Sequence, residues 1–351
     1  MTEYTDNILG QPAALRALLA EIDQDALLRL GARVRAGEFD RIILTGMGAS
    51  LYAAYPAWRL LVAAGLPAWW LEAGELADAA PALVTPRTLL WVVSQAGRVP
   101  EGLALLDGLT AGPGLVLATT NQADSPLAQR AGVVQPLHTT KENGVATRSF
   151  LNTLAATQLQ ALAMGGHDLA PALEAFQHLA GALTGYLDGW DNMLARLDEQ
   201  VPAVDRLLLL GRGASLAAAL DGALVLKEAA RVSVEGLSMG QFRHGPLELA
   251  DPRLTVIVFE GAGSQAAADR GLVQTIIDCG ARALLVSADE AGAMGSLPAP
   301  AASGLAVPMA QIVPIQLLSL ILARRQGFEA ADFRHLGKVT WPAGAATRKQ
   351  Q

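Results

Sequence analysis

One stretch of this chain occurs twice. The segment RIILTGMGASLYAA at residues 41–54 reappears without a gap as RLLLLGRGASLAAA at residues 206–219. Each copy is an apolar run that ends in a Gly-x-Gly turn and leads into a helical pattern, which is typical of a buried strand followed by a helix. A repeat at this spacing is too long for a solenoid and indicates duplication of a whole domain-sized unit. We therefore expect two similar halves.

Apolar runs alternate with helical patterns through both halves. The runs AWWLEA, TLLWVVSQAG and GLVLATTN follow the first copy, and LTVIVFEG and ARALLVSAD follow the second. This alternation is the signature of an open parallel α/β sheet. We expect a first domain with N-terminal helices at residues 1–165, a helical connection at 166–200, and a second domain at 201–351.

Composition narrows the classes of partner. The 351-residue chain is 52% hydrophobic and carries a net charge of -7 with scattered Lys and Arg, which argues against a nucleic-acid partner. Cys279 is the sole cysteine, so the sequence predicts no disulfide framework and no metal site, as is typical of a reducing cytosol. The N-terminus lacks the basic region of a signal peptide, and no apolar run looks long enough to cross a bilayer. We expect a cytoplasmic protein without a membrane partner.

Small polar residues follow three of the predicted strands. Gly48 and Ser50 lie in the first glycine-rich turn, Ser94 and Gln95 follow TLLWVV, and Thr120 ends the run GLVLATT. Ligands bind at the carboxyl ends of parallel strands, and hydroxyls, amides and free N–H groups at helix starts suit a phosphate. Each serine alone is more simply a helix cap, but their clustering at one edge favours an anion site.

A dinucleotide site is the rival interpretation of the glycine-rich turns. The GxGxxG pattern fails at its third glycine, because Leu51 and Leu216 stand where close helix packing needs Gly or Ala. No suitably placed acidic residue is obvious after the next strand, and the sequence contains no Walker-type loop. We expect no cofactor.

Two candidate proton carriers lie in the stretch LVLKEAARVSVEGLSMGQFRHGPLEL, residues 224–249. Glu228 follows an apolar helical run, and His244 lies in a turn bracketed by Gly240, Gly245 and Pro246. A carboxylate in an apolar wall has a raised pKa and a histidine titrates near neutral pH, so the two could move protons on a bound substrate. Spacing alone favours a simpler interpretation, in which Glu228 is solvated and His244 caps a helix.

Several segments together resemble the sugar isomerase (SIS) domain proteins. They are the doubled GxGAS turn and the segments SQAGRVPE, ENGVATRSFLNTLAA, LVLKEAARVSVEGLSMGQFRHGPLEL and ADFRHLGKVT. The resemblance covers nearly the whole chain. It is closest to the isomerase half of glutamine–fructose-6-phosphate aminotransferases and to stand-alone glucosamine-6-phosphate deaminases and fructosamine deglycases. It implies two tandem flavodoxin-like domains, no cofactor, and a homodimer that completes a shared sugar-phosphate site.

The resemblance also implies residue roles. Ser50, Ser94 and Gln95 are similar to the phosphate-binding residues of the family. Glu228 is similar to the base that moves a proton between C1 and C2 of the open-chain sugar, and His244 to the residue, supplied by the neighbouring subunit, that opens the ring. Lys338 corresponds to a C-terminal lysine whose amine contacts the sugar carbonyl or forms a Schiff base with it. Such a role is chemically reasonable, because a desolvated amine is a competent nucleophile.

Three departures from the family pattern modify these expectations. In the phosphate loop, roughly SQSGxT in the family, Ala96 and Val99 replace a Ser and the Thr, and Arg98 is introduced. We expect phosphate binding to be rebuilt around Arg98. Val225 stands where the aminotransferase has a second lysine, three residues before the base. The sequence also contains no glutaminase segment, so we do not expect it to release ammonia from glutamine.

Three functions remain open at this point. The first is the conversion of glucosamine 6-phosphate to fructose 6-phosphate and ammonia. The second, within the same chemistry, is a fructosamine-6-phosphate deglycase or a glucosamine-6-phosphate synthase-type aminotransferase without its glutaminase domain. The third, from another class, is a regulator that binds a sugar phosphate without turnover.

Overall fold

Two parallel sheets form the framework of this chain. The computed structural model describes residues 2–335, apart from 110, 202–204, 262 and 289–294. Three helices come first: α1 (Glu3–Leu9), α2 (Gln11–Glu21) and α3 (Gln24–Arg35). The first domain then alternates strand and helix as β1 (Arg41–Gly46), α4 (Gly48–Ala63), β2 (Ala68–Glu72), α5 (Ala73–Ala79), β3 (Thr88–Val93), α6 (Pro100–Gly108), β4 (Leu115–Thr120), α7 (Pro126–Arg130) and β5 (Val133–Pro136).

Three helices lead from the first sheet to the second. They are α8 (Arg148–Gly165), α9 (Ala170–Asp188) and α10 (Trp190–Gln200). The second domain repeats the alternation as β6 (Arg206–Gly211), α11 (Leu216–Ala230), β7 (Val234–Ser238), α12 (Met239–Phe242), β8 (Leu254–Phe259), α13 (Gln265–Asp278), β9 (Arg282–Ser287), β10 (Gly295–Pro298) and α14 (Val307–Arg325).

The two sheets have the same topology. The first has the order β2-β1-β3-β4-β5 and the second the order β7-β6-β8-β9-β10, with parallel pairing throughout. This is the flavodoxin-like order, in which the strand sequence reverses between the first and third strands of each domain. The prediction of two tandem flavodoxin-like domains related by duplication is confirmed.

The central strands of each sheet were predicted from the sequence. Every residue of β3, β4 and β8 is buried, because helices cover both faces of a parallel sheet and its strands become continuous apolar runs. The shorter strands β5, β7 and β10 went unpredicted. Their sequences VVQP, VEGLS and GSLP include Gly, Pro or polar residues and no long apolar run.

The core between the sheets is built from helices. α4 packs on α8, α11 packs on α14, and α4 and α11 pack on each other across the domain boundary. The N-terminal helices tie into this core, since the Tyr4 and Ser319 hydroxyls share a hydrogen bond of 2.9 Å and Gln11 Nε2 donates to Gln316 Oε1 at 2.8 Å. α1 and α2 therefore link the first domain to α14 of the second.

One expectation about membranes was wrong. The helical segment Gly304–Arg325, with a mean hydropathy of 2.0, is long and apolar enough to cross a bilayer by length and composition. In the fold, 83% of its apolar window is buried inside the protein. A helix that is apolar on all sides is equally suited to the core of a large domain, and that is where α14 lies.

The close crossing of α3 and α8 predicts that alanine substitutions at two helical glycines have opposite effects on the stability of the protein. A Cβ at Gly31 of α3 would lie 2.6 Å from the carbonyl carbon of Ala163 on α8, whereas a Cβ at Gly181 of α9 would meet no atom within 4 Å. Gly31→Ala should lower the free energy of unfolding by about 1–3 kcal/mol, because α3 must move away from α8. Gly181→Ala should raise it by up to about 1 kcal/mol through helix propensity. Denaturant unfolding measures both changes, and a stabilising Gly31→Ala would contradict the close crossing.

Candidate active site

A cavity of about 320 Å³, which we call the first cavity, lies where the two domains meet. Its wall combines the turn after β1, the loop after β3, the loop before α8 and one face of α11. The lining residues are Met47, Gly48, Ala49, Ala96, Val99, Pro100, Glu101, Gly144, Val145, Ala146, Asp221, Leu224, Val225 and Glu228. β1 and β3 are the strands between which the order of the first sheet reverses, the usual ligand position in open α/β sheets.

The turn after β1 faces α11 through a glycine. Gly48 has a φ of +51°, a backbone conformation that residues with a side chain rarely adopt. A Cβ at Gly48 would lie 3.5 Å from Leu224 Cδ2, in ordinary contact with the second domain. The first turn of α4 therefore lies directly opposite the face of α11 that carries the carboxyl groups.

Two carboxyl groups on α11 share the wall of the first cavity. Asp221 and Glu228 are seven residues apart, two helical turns or roughly 10 Å along the axis, so they lie on one face. Burial raises the pKa of Glu228 to about 7. Asp221 is 1% exposed, and its pKa is raised well above its usual value by burial first and then by the negative charges of Glu228 and Glu142.

Both carboxyl groups therefore favour the protonated form more than solvated carboxyls do. Glu228 changes between its acid and base forms near neutral pH, and the pKa of Asp221 is raised in the same direction. Neither oxygen of Asp221 has a hydrogen-bond partner among the described residues. Buried carboxyl groups with raised pKa values in a cavity are candidates for general acid and general base.

The loop after β3 places the predicted phosphate contacts beside the first cavity. Ser94 is buried and its Oγ accepts from the Gly97 N–H at 3.1 Å, which holds the loop in a tight turn. Thr120 is buried too, and its Oγ1 donates to the Gln95 carbonyl oxygen at 3.2 Å. Thr120 thus supports the loop from beneath. Gln95 Nε2 is buried without a hydrogen-bond partner among the described residues.

Ser50 and Arg98 lie close to the cavity without lining it. Ser50 is half-buried in the first turn of α4, next to Ala49 of the wall. Arg98 is exposed, and its neighbours in the loop, Ala96 and Val99, both line the cavity. Of the predicted site residues, Gly48 and Glu228 are on the wall itself.

His244 and Lys338 are not part of the wall. His244 is exposed in the turn between α12 and the 3-10 helix Pro246–Leu249, and it is not among the residues that line the cavity. Lys338 lies outside the described residues. The last part of the chain that is described does reach the site, because a Cβ at Gly144 would lie 3.1 Å from the Phe333 ring.

Asp221 and the loop before α8 were missed by sequence reasoning. The loop appeared there only as part of the motif ENGVA, without a role. It is held by Glu142, whose buried carboxylate accepts from the backbone N–H and the hydroxyl of Thr147 at 3.1 and 2.6 Å. The signal that could have revealed Asp221 is its spacing of seven residues from Glu228, which places both on one helical face.

Comparison with known proteins agrees with this architecture. Residues 38–163 and 203–286 match the SIS domain, one segment in each half of the chain. The chain belongs to the SIS domain family. It is 29% identical over 345 residues to a glutamine–fructose-6-phosphate aminotransferase of Gloeobacter violaceus, covering 93% of this chain and 56% of that protein. The SIS chain spans about half the length of the curated relatives it matches.

Solved structures share the fold over the whole SIS chain. The C-terminal domain of glucosamine-fructose-6-phosphate aminotransferase from Francisella tularensis superposes with a TM-score of 0.83 and 20% identity, covering 94% of this chain and 98% of that one. A glucosamine-6-phosphate deaminase from Thermotoga maritima superposes with a TM-score of 0.77 and 21% identity, covering 96% and 99%. These likenesses establish the two-domain fold.

The buried Asp221 predicts a pH-dependent stability effect. Burial raises the pKa of this carboxyl in the folded chain well above its usual value near 4, so wild-type stability falls as the pH rises from the unfolded pKa towards the folded one. Asp221→Asn removes that penalty. The free energy of unfolding of the variant, relative to that of the wild type, should therefore increase with pH above about 4, by at most about 1.4 kcal/mol per pH unit. Urea unfolding at several pH values measures the difference, and a difference independent of pH would contradict the assignment.

Proposed function

We propose that this chain is a phosphosugar enzyme that converts glucosamine 6-phosphate to fructose 6-phosphate and ammonia. The observation that carries the proposal is the pair of carboxyl groups on α11, Asp221 and Glu228, whose pKa values burial raises, that of Glu228 to about 7, in a cavity at the switch point of the first sheet. Membership of the SIS family supports it, as do the names of the relatives, which include an aminotransferase of fructose 6-phosphate and a glucosamine-6-phosphate deaminase.

Proton transfer between neighbouring carbons is the central step. In the open-chain aldehyde form of the substrate, Glu228 removes the C2 proton and the resulting electron pair moves towards the C1 carbonyl. Asp221, in the protonated form that burial favours, donates a hydrogen bond to the oxygen on which negative charge develops. Return of the proton to C1, together with transfer of one proton from the C2 amine to the C1 oxygen, gives the C2 imine of a C1 alcohol. Addition of water to the imine then releases ammonia and leaves fructose 6-phosphate.

The phosphate is assigned to the first domain. Backbone N–H groups at the Gly48 turn and the side chains of Ser50, Ser94 and Gln95 surround the carboxyl ends of β1 and β3, where helix starts favour an anion. Arg98 contributes the positive charge. This leaves the C1–C2 end of the sugar against α11, where the carboxyl groups are.

Lys338 is proposed to reach the sugar carbonyl. Phe333 packs on Gly144 of the wall, and the five residues from Phe333 to Lys338 span at most about 18 Å when extended. That reach is enough to carry an amine from the Gly144 loop to the substrate.

Val225 favours a deglycase as the second candidate. It is an apolar wall residue where the aminotransferase has a lysine, so a substituent on the substrate amine would meet a methyl surface there. A fructosamine 6-phosphate carries such a substituent.

Ammonia or amine release tests the proposal. The pure protein is incubated with glucosamine 6-phosphate and with several fructosamine 6-phosphates, and ammonia, amine and fructose 6-phosphate are assayed. Turnover of glucosamine 6-phosphate supports the deaminase, and turnover of the fructosamines alone supports the deglycase. Thermal stabilisation by these compounds without any turnover would overturn both and indicate a binding protein.

Glu228→Gln should abolish most of the turnover. The amide has the same shape but cannot accept a proton, and a general base is worth about 100- to 10,000-fold in rate. Wild-type turnover should fall as the pH is lowered through 7, because Glu228 becomes protonated. A loss smaller than tenfold, or a rate independent of pH between 6 and 8, would exclude Glu228 as the base.

Arg98→Ala should raise the Michaelis constant and leave saturated turnover largely unchanged. A guanidinium binds phosphate oxygens in a bidentate way, and hydrogen bonds to charged groups contribute enough for a change of roughly 10- to 100-fold. Arg98→Lys keeps the charge but not the bidentate geometry and should give an intermediate value. An unchanged Michaelis constant in both variants would place Arg98 outside the phosphate site.

His244 is proposed to serve the sugar of a second subunit. It is exposed in a turn of the second domain, while the proposed phosphate residues belong to the first, so a two-fold dimer would let each turn reach across. Mixing an inactive His244→Ala chain with an inactive Ser94→Ala, Gln95→Ala chain should restore part of the activity through heterodimers that hold one intact site. Heterodimers that stay inactive, or a fully active monomer, would contradict the shared site.

A further inference from the structure

The duplication that built the first cavity also built a second one. A cavity of about 350 Å³, which we call the second cavity, lies at the carboxyl ends of β6 and β8, the matching switch point of the second sheet. Its lining residues are Pro56, Arg59, Leu60, Ala63, Gln158, Arg212, Gly213, Ala214, Ser215, Gly261, Ser264, Gln265, Gly304, Leu305, Val307 and Pro308.

The second cavity reproduces the first segment by segment. Gly213 of the second cavity has a φ of +58°, and its counterpart Gly48 in the first cavity has a φ of +51°. Gly304, before α14, has a φ of +54°, and its counterpart Gly144, before α8, has a φ of +75°. α4 now supplies the wall that α11 supplies to the first cavity. In the alignment of the repeat, the four wall residues of α4 occupy the same positions as the four of α11: Pro56 for Asp221, Arg59 for Leu224, Leu60 for Val225 and Ala63 for Glu228.

The chemistry of the wall differs between the two cavities. Within the described part of the chain, the charged residues that line the second cavity are two arginines, Arg59 and Arg212. Arg212 Nε lies 3.0 Å from Oδ1 of the buried Asp269, which fixes the position of the guanidinium. Arg59 is exposed and has no ion-pair partner among the described residues, and its Nη2 would lie 3.9 Å from a Cβ at Gly213. Arg212 is thus held by an ion pair, whereas Arg59, above the glycine turn, has none among the described residues.

Other polar groups converge on the same space. Ser264 precedes the first residue of α13, a helix of 14 residues, but its side chain makes no capping hydrogen bond. Gln265 Oε1 would lie 3.4 Å from a Cβ at Gly213 and 3.0 Å from a Cβ at Gly261, so its amide bridges both glycine turns.

A buried side chain on the wall provides an independent indication of a ligand. Gln158 on α8 is 0% exposed, and its Nε2 donates to the carbonyl oxygens of Leu154 and Leu305 at 3.0 and 3.3 Å. Its Oε1 has no hydrogen-bond partner among the described residues. An unpartnered buried acceptor costs stability, and a ligand hydroxyl would satisfy it.

We infer that the second cavity is a binding site for a small phosphorylated polyol or sugar. Arg59 and Arg212 hold the phosphate together with the N–H groups of the Gly213 turn and the start of α13, and Gln158 accepts from a hydroxyl. The site binds without catalysing, because Pro56 and Ala63 replace the two carboxyl groups that could move protons. This inference does not depend on the reaction proposed for the first cavity.

A ligand in the second cavity can affect the first cavity directly, because α4 and α11 connect the two cavities. α4 begins at the first cavity with Gly48 and lines the second with Arg59, while the segment Gly213–Ser215 at the second cavity leads into α11, which lines the first with Glu228. A ligand that fixes the position of α4 or α11 at one cavity therefore acts on a wall of the other. We expect the second cavity to regulate the first through these two helices.

Calorimetric titration of the full chain tests the site. The probes are glucose 6-phosphate, fructose 6-phosphate and inorganic phosphate, with glucose as the unphosphorylated control. A binding event that weakens at least tenfold in Arg59→Ala, and that Ala63→Glu also weakens by adding negative charge, supports the inference. Arg282→Ala is the matched control, because Arg282 is an exposed arginine at the amino end of β9, on the opposite edge of the same sheet, and this variant should bind like the wild type.

The outcomes separate the two cavities. An event sensitive to Arg59→Ala but not to Arg98→Ala belongs to the second cavity, and it supports the inference even if the protein releases no ammonia. If every event responds to Arg98→Ala and none to Arg59→Ala, or if none of the three phosphorylated probes binds, the inference is overturned.

Discussion

The packing of α4 against α11 is the constraint on which both cavities depend. The two duplicated helices pack on each other, and both carry fully buried small side chains, among them Ala53 on α4 and Ala218 and Ala219 on α11, which leave room for close packing. Gly222 has the same effect on the other side of α11, where a Cβ would lie 2.9 Å from Leu209 of β6. Each helix therefore starts in its own sheet and presents its later turns to the cavity of the other domain. A substitution that separated the helices would alter both walls at once.

Duplication supplied one scaffold twice, and the chemistry diverged at matched positions. On α11 the wall carries Asp221, which is buried without a hydrogen-bond partner among the described residues and lowers stability at neutral pH. On α4 the same position is Pro56, which has no such cost. Residues that violate the rule of polar satisfaction persist where function requires them. That contrast is our reason for proposing proton transfer in the cavity walled by α11 and binding in the cavity walled by α4.

The sequence predicted the fold better than the site, for physical reasons. Continuous apolar runs and the repeat revealed β1, β3, β4, β6 and β8, because strands buried on both faces must be apolar. The strand-end rule identified the edge of the sheet at which the first cavity lies, but not which side chains face that cavity, since the hydroxyls of Ser94 and Thr120 are used in hydrogen bonds that shape the loop. The pKa of Glu228 also depends on how α11 docks, which spacing alone does not specify. Composition similarly could not distinguish a membrane helix from the core helix α14.

Charge sets a direction within the first cavity. Among the described residues, the charged side chains on its wall are all acidic: Glu101, Asp221 and Glu228. A phosphate dianion placed against α11 would be repelled by an ionised Glu228, which is the electrostatic reason for proposing the phosphate site on the first domain. Arg98 is the cation at that end of the cavity, three residues before Glu101. Positive or titratable nitrogen groups for the sugar must then come from outside this wall. This requirement gives a physical reason for the two remaining proposals, Lys338 from the C-terminal segment and His244 from a second subunit, since the described residues that line the first cavity include no lysine and no histidine.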